Sequence, residues 1–129
     1  MVHVHDGEFV RVRVPAYLER SLQIALGGVH APFFTDHEGA ALAVVLRRDE
    51  WDRLAPRFTA AEVSGGFRLL SLKRGPDPWL PSSLRQALGE RGVAACVLPS
   101  FHNDHLLVRD DHVQRCLEVI REILPASAR

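Results

Sequence analysis

The sequence says the same thing twice. Gly7-Glu8-Phe9 recurs as Gly65-Gly66-Phe67, Ala25-Leu26-Gly27 as Ala87-Leu88-Gly89, and Leu46-Arg47-Arg48-Asp49 as Val108-Arg109-Asp110-Asp111, with Arg53 matching Arg115. The copies are 58 residues apart at the first landmark and 62 apart afterwards, so the second copy gains residues, and it gains them in the Pro-rich stretch Arg74 to Pro81. Landmarks kept in order with one insertion point to a duplicated unit, and a duplicated unit restricts the chain to folds that can be built from two like pieces. With 129 residues in all, those pieces are either two very small domains sharing a core or halves of one compact domain. The expected division is 1–64 for the N-terminal repeat and 65–129 for the C-terminal one.

The second copy shows what the unit is. Phe67 to Leu72 is an apolar strand, and three prolines stiffen Arg74 to Pro81. Ser82 or Ser83 can cap a helix that carries Leu84, Ala87 and Leu88 and ends at Gly89 or Gly92. The apolar runs Val93 to Leu98 and Leu106 to Val108 flank a polar corner, Ser100 to Asp104, as two strands of a hairpin do. Asp110 or Asp111 can cap a second helix, with Val113, Leu117, Ile120 and Leu124 at helical spacing. The order is βαββα. At the hairpin corner, Asp104 is expected to carry little packing.

The first copy reads the same way. Val10, Val12 and Val14 alternate with Arg11 and Arg13 before Pro15; Leu18, Leu22, Ala25 and Leu26 keep helical spacing, and Gly27-Gly28 closes that helix in the left-handed conformation. Phe33-Phe34 opens a strand, Thr35 to Gly39 turns it, and Ala40 to Leu46 returns. A short helix over Asp49 to Ala55 stops at Pro56, Phe58 to Val63 is a further strand, and Ser64-Gly65-Gly66 is a tight turn or joint. Ahead of it all, Val2 to His5 alternates apolar and polar residues, and Asp6-Gly7 offers a hairpin turn to the following strand. The first copy therefore reads βαββαβ and the second lacks its sixth strand, which residues 1–5 could supply. The fold class is α+β: two ferredoxin-like repeats with antiparallel sheets and helices packed on one face.

Charge narrows the partners. Lys+Arg and Asp+Glu both number 16, so no positive excess exists to hold a phosphate backbone, and nucleic acid is not expected. No apolar run approaches the ~20 residues that span a bilayer, and nothing resembles a signal peptide, so a soluble cytoplasmic protein is expected with no membrane partner. Cys96 in an apolar strand and Cys116 on a helix read as two buried thiols in a reducing compartment.

The stretch Gly92 to Val108, G-V-A-A-C-V-L-P-S-F-H-N-D-H-L-L-V, followed by an acidic helix start, resembles the last repeat of tandem ACT-domain proteins. It is most similar to the small bacterial two-ACT proteins related to the CASTOR-type arginine sensors, and Pro32 to Leu46 resembles the matching stretch of their first repeat. The resemblance covers most of the chain from Phe9 onward. It implies a non-catalytic regulatory protein that binds a small molecule, usually an amino acid, between the two repeats, with no cofactor. On that pattern Asp104 would meet a ligand's cationic group, with Asn103 and His102 beside it at the corner. The loop entering the helix, Trp79, Leu80, Pro81, Ser82 and Ser83, would contact the amino acid. Its carboxylate would suit the helix N-terminus, where backbone N–H groups and the dipole favour an anion. Thr35 and Asp36 are the corresponding candidates in the first copy. The chain departs from the family at Asn103-Asp104-His105, and at Leu46 to Glu50, where a cysteine-proline-glutamate sequence is common.

Other readings compete. Trp79 also suits a hydrophobic plug over the core, and Asp104 a plain turn or cap. A protein-interaction ACT module that has lost its ligand is one alternative, since ferredoxin-like sheets have exposed edges through which homodimers form. A metal site is another: His3 and His5 share a strand face, His102 and His105 lie at the hairpin, and Asp104 is beside them, although a solvated face explains His3 and His5 more simply. An enzyme is not expected. Ser82 or Ser83 could be combined with a histidine and Asp104, yet no G-x-S-x-G elbow or glycine-rich phosphate loop is present, and Cys96 lies in an apolar run that blunts a thiol.

Overall fold

A computed structural model describes residues 2–30, 32–73, 82–99 and 103–123. In chain order its strands and helices are β1 (Val2–Val4), β2 (Phe9–Pro15), α1 (Glu19–Leu26), β3 (Phe34–Glu38), β4 (Ala41–Arg47), α2 (Arg48–Leu54), β5 (Glu62–Lys73), α3 (Ser82–Glu90), β6 (Ala95–Pro99), β7 (Asn103–Arg109) and α4 (Val113–Ile123). The molecule is α+β, and every strand pair described below is antiparallel. Its contacts gather into two compact units, Gly7–Gly66 on one side and Met1–Asp6 with Phe67–Arg129 on the other.

In the unit Gly7–Gly66, β4 lies between β3 and β2. Alternation decides which side chains go inside: Val10, Val12 and Val14 of β2 and Leu42, Val44 and Leu46 of β4 form one apolar face. Leu22, Ala25 and Leu26 of α1 cover that face, together with Trp51 and Leu54 of α2 and Phe58. The β3–β4 turn uses Gly39 at φ 60°, a conformation that a side chain would oppose.

The other unit runs β1-β5-β7-β6. Leu70, Leu72, Leu106 and Val108 line its inner face against Leu84 and Leu88 of α3 and Cys116, Val119 and Ile120 of α4. Pairing follows one rule in both units. β2 meets β4 from Phe9↔Arg47 to Pro15↔Ala41, and β5 meets β7 from Phe67↔Arg109 to Lys73↔Asn103. Likewise Phe34↔Val45 in the first hairpin answers to Cys96↔Leu107 in the second.

Several local expectations are corrected. The N-terminal strand does not form a hairpin with β2: Val2, His3 and Val4 pair with Leu72, Ser71 and Leu70 of β5. Ser64-Gly65-Gly66 is no turn, because β5 runs unbroken from Glu62 to Lys73. Gly66, at φ 82°, lies inside it, the mark of a bulge rather than an end. That strand starts at Glu62, not Phe58, whose ring is taken into the core beside Trp51. Gly27 stays at φ −61°, and the helix closes through tight bonds from Gly27 N–H to Ile24 O and Gly28 N–H to Ala25 O. Thr35 and Asp36 belong to β3 instead of a turn. Asp110 and Asp111 occupy a 3-10 turn ahead of α4, in its acidic first turn. Cys96 is exposed: it pairs with Leu107, whose side chain lies on the face opposite Leu106 and Val108. Leu124 lies outside the described residues.

Candidate functional site

The site begins with the first three residues of β7. Asn103, Asp104 and His105 pair with Lys73, Leu72 and Ser71 of β5. Because sides alternate along a strand, Asp104 shares the inner face with Leu106 and Val108, while His105 looks to the other side. Asp104 is only 5% exposed, so it is not the lightly packed corner residue that its neighbours in sequence suggest. It stands inside a ladder, between Leu72 and Pro99. A carboxylate held so far from water is costly unless it has partners, which makes it the least expected residue of this face.

On the opposite face His5, Ser71 and His105 form a chain. His5 Nε2 lies 2.7 Å from Ser71 Oγ, and the same oxygen lies 2.6 Å from His105 Nδ1. Ser71 and His105 are each 9% exposed. Burial pushes the His5 pKa down, helped by the nearby His3 and His105 charges and opposed by Asp6. Burial also pushes the His105 pKa down, while Asp104 acts in the other direction. The rings of His3 and His5 meet edge to face at 4.4 Å.

The remaining candidates divide as follows. Ser82 and Ser83 open α3, and Asn103 opens β7. Thr35 and Asp36 are exposed on β3, in the other unit, where they pair with Val44 and Ala43. Trp79, Leu80, Pro81 and His102 lie outside the described residues. Among the described residues no group of three His, Cys, Asp or Glu side chains is arranged to hold a metal. A cleft of about 240 Å³ in the unit Gly7–Gly66 has Arg13, Glu38 and Glu62 in its walls and none of the candidate ligand-binding residues.

Two features escape a reading of the sequence. Ser71 attracts no notice in S-L-K, since only the pairings of β1 and β7 with β5 place it between two histidines. Glu8 binds Arg48 Nε at 2.9 Å and the Gly66 N–H at 2.7 Å, which holds its carboxyl below the usual range, the backbone donor acting most strongly. The signal available for it was the doubled glycine: a Cβ on Gly65 would collide with Arg48 Nη2 and lie 2.7 Å from Glu8 Oε2.

No family model matches the chain, and neither does any curated protein. Solved structures do. The regulatory subunit of aspartate kinase from Thermus thermophilus, in its ligand-free form, is similar over 96% of this chain and 97% of its own, with TM-score 0.71 and 12% identity. The fold is ACT-like. Clostridium acetobutylicum aspartate kinase gives TM-score 0.74 at 10% identity over 94% of the chain, which spans 33% of that enzyme's length. A Vibrio cholerae protein of unknown function is similar at TM-score 0.68 and 23% identity, over 94% of this chain and 87% of its own. At such identities the likeness is one of architecture. The ACT-like fold expected from the motif at Gly92 to Val108 is therefore observed, and the neighbours include regulatory rather than catalytic parts of kinases. Among the described residues no helix is long and apolar enough to cross a membrane.

Proposed function

We propose that this chain is a cytoplasmic, non-catalytic regulatory protein made of two ACT repeats, which takes up an amino acid where the repeats meet, with Asp104 as the acidic anchor for the ligand's cationic group. The observation that carries this is a carboxylate 5% exposed on the inner face of an ACT-like sheet. Its counterpart by register in the other unit is apolar: Asp104 faces Leu72 as Leu42 faces Val14. Shared register in both the long pairs and the hairpins supports duplication. The start of α3 at Ser82 supplies backbone donors suited to a ligand carboxylate. A zwitterion would then find an acceptor and donors in one site.

The test is a melting-temperature screen of the twenty amino acids, repeated with Asp104→Asn, which keeps shape and removes charge. A ligand at a hundredfold excess over its Kd should stabilise the wild type by about 2.7 kcal/mol and the variant by much less. Equal stabilisation of both would remove Asp104 from the site, and silence across all twenty would remove the amino-acid reading. A second reading, assembly through strand edges into a homodimer, is favoured by β6, which pairs only with β7 among the described residues. Under that reading the melting temperature would follow protein concentration and ignore every ligand.

A further inference from the structure

We propose that the chain His5–Ser71–His105 is a pH-sensitive latch, holding the N-terminal strand β1 against β5 at neutral pH and releasing it when the histidines take up protons. The geometry sets the rule. A serine hydroxyl has one hydrogen, and here its oxygen stands 2.7 Å from His5 Nε2 and 2.6 Å from His105 Nδ1. Both contacts are satisfied when Ser71 donates to one ring's lone pair and accepts from the other ring's N–H. At least one ring must therefore be neutral. With both protonated, two N–H groups face one oxygen, the hydroxyl hydrogen loses its acceptor, and two cations are forced together where Ser71 and His105 are 9% exposed.

What the latch holds is slight. β1 has three residues and is tied by the pairs Val2↔Leu72, His3↔Ser71 and Val4↔Leu70. Beyond these, His5 N–H donates to Leu69 O at 2.9 Å and Arg68 Nη2 donates to His5 O at 3.1 Å. Val2 and Val4 are half-buried, so little apolar area keeps the strand in place. Short strands of this kind open locally at low cost, and one side-chain tie can decide the balance.

The charged and titratable neighbours among the described residues are His3 on β1, Asp6 beyond it, Arg68 on β5 and Asp104 on β7. The two carboxylates favour protonated rings. Burial, first in effect at both histidines, opposes them, as do the other imidazoles at His5. The net direction at both rings is downward, so the released strand binds protons more readily than the docked one. Docking is complete above the ordinary histidine range near 6.5 and is lost as pH falls below it. Release would uncover the β5 edge from Leu69 to Leu72.

The experiment is hydrogen exchange on the intact protein by NMR, with protection corrected for the intrinsic rate at each pH. Between pH 8 and pH 5 the His5 amide should lose protection, by up to about tenfold per pH unit for each proton taken up, while Ile120 in α4 keeps its own. The double variant His5→Gln/His105→Gln, which does not titrate here, should show no such loss. A His5 amide that follows Ile120 throughout, or falls equally in the double variant, would overturn the latch. Ring titrations of the wild type test it without any variant: both His5 and His105 should titrate below free histidine, and either one at or above it would contradict the proposal.

Discussion

The two units use one pairing scheme and fill it with different residues. In Gly7–Gly66, β2 and β4 pair so that Val14 faces Leu42 and Arg13 faces Ala43. In the other unit, the same places in the ladder hold Leu72 facing Asp104 and Ser71 facing His105. The first arrangement is what stability alone would choose: an apolar inner face, with Arg13 beside Glu38 and Glu62 on the outer one. The second places a carboxylate, a serine and a histidine where the first has leucine, arginine and alanine. Even the far ends agree, since Phe9↔Arg47 answers to Phe67↔Arg109, where the guanidinium sits 5.5 Å over the ring. One ladder scheme thus carries two different sets of side chains.

Exchanging the residues tests that contrast most severely. Leu42→Asp should cost about 3–5 kcal/mol, because it buries a charge in a core with no provision for it. The reciprocal Asp104→Leu should cost less than Leu42→Asp, because it places an apolar side chain on a face already lined by Leu70, Leu72, Leu106 and Val108. A large loss in the second variant would mean that Asp104 is structural. Smaller effects are expected at the bulge in β5. Gly66→Ala should cost about 1–2 kcal/mol because Gly66 sits at φ 82°. Gly65→Ala should also destabilise, by displacing Arg48 or Glu8, and urea unfolding of both variants measures it. The smallest effect concerns the thiols. Burial pushes Cys116 up to about 11, so at pH 8 a thiol reagent should label exposed Cys96 and spare Cys116 in the folded protein, as peptide mass spectrometry would show.

Much of the architecture was legible because alternation and helical spacing are local. Val10, Val12 and Val14 announced an inward face, and the repeated landmarks announced two like units. Partners were less legible, because pairing is decided by distant residues. Asp6-Gly7 has the chemistry of a hairpin turn, yet β1 pairs with a strand more than sixty residues away. Gly65-Gly66 reads as punctuation, but its positive φ belongs to a bulge whose N–H serves Glu8. At the site, the motif singled out Asp104 and its neighbours from local pattern. Its burial and the Ser71 chain depend on cross-strand register, which no local pattern reveals.

The central claim is that Asp104 anchors a ligand's cationic group. Calorimetric titration of wild type and Asp104→Leu with the amino acid selected by the melting screen measures this directly. Binding to the wild type and none to a folded Asp104→Leu protein is the expected result. Undiminished binding to that variant would contradict it.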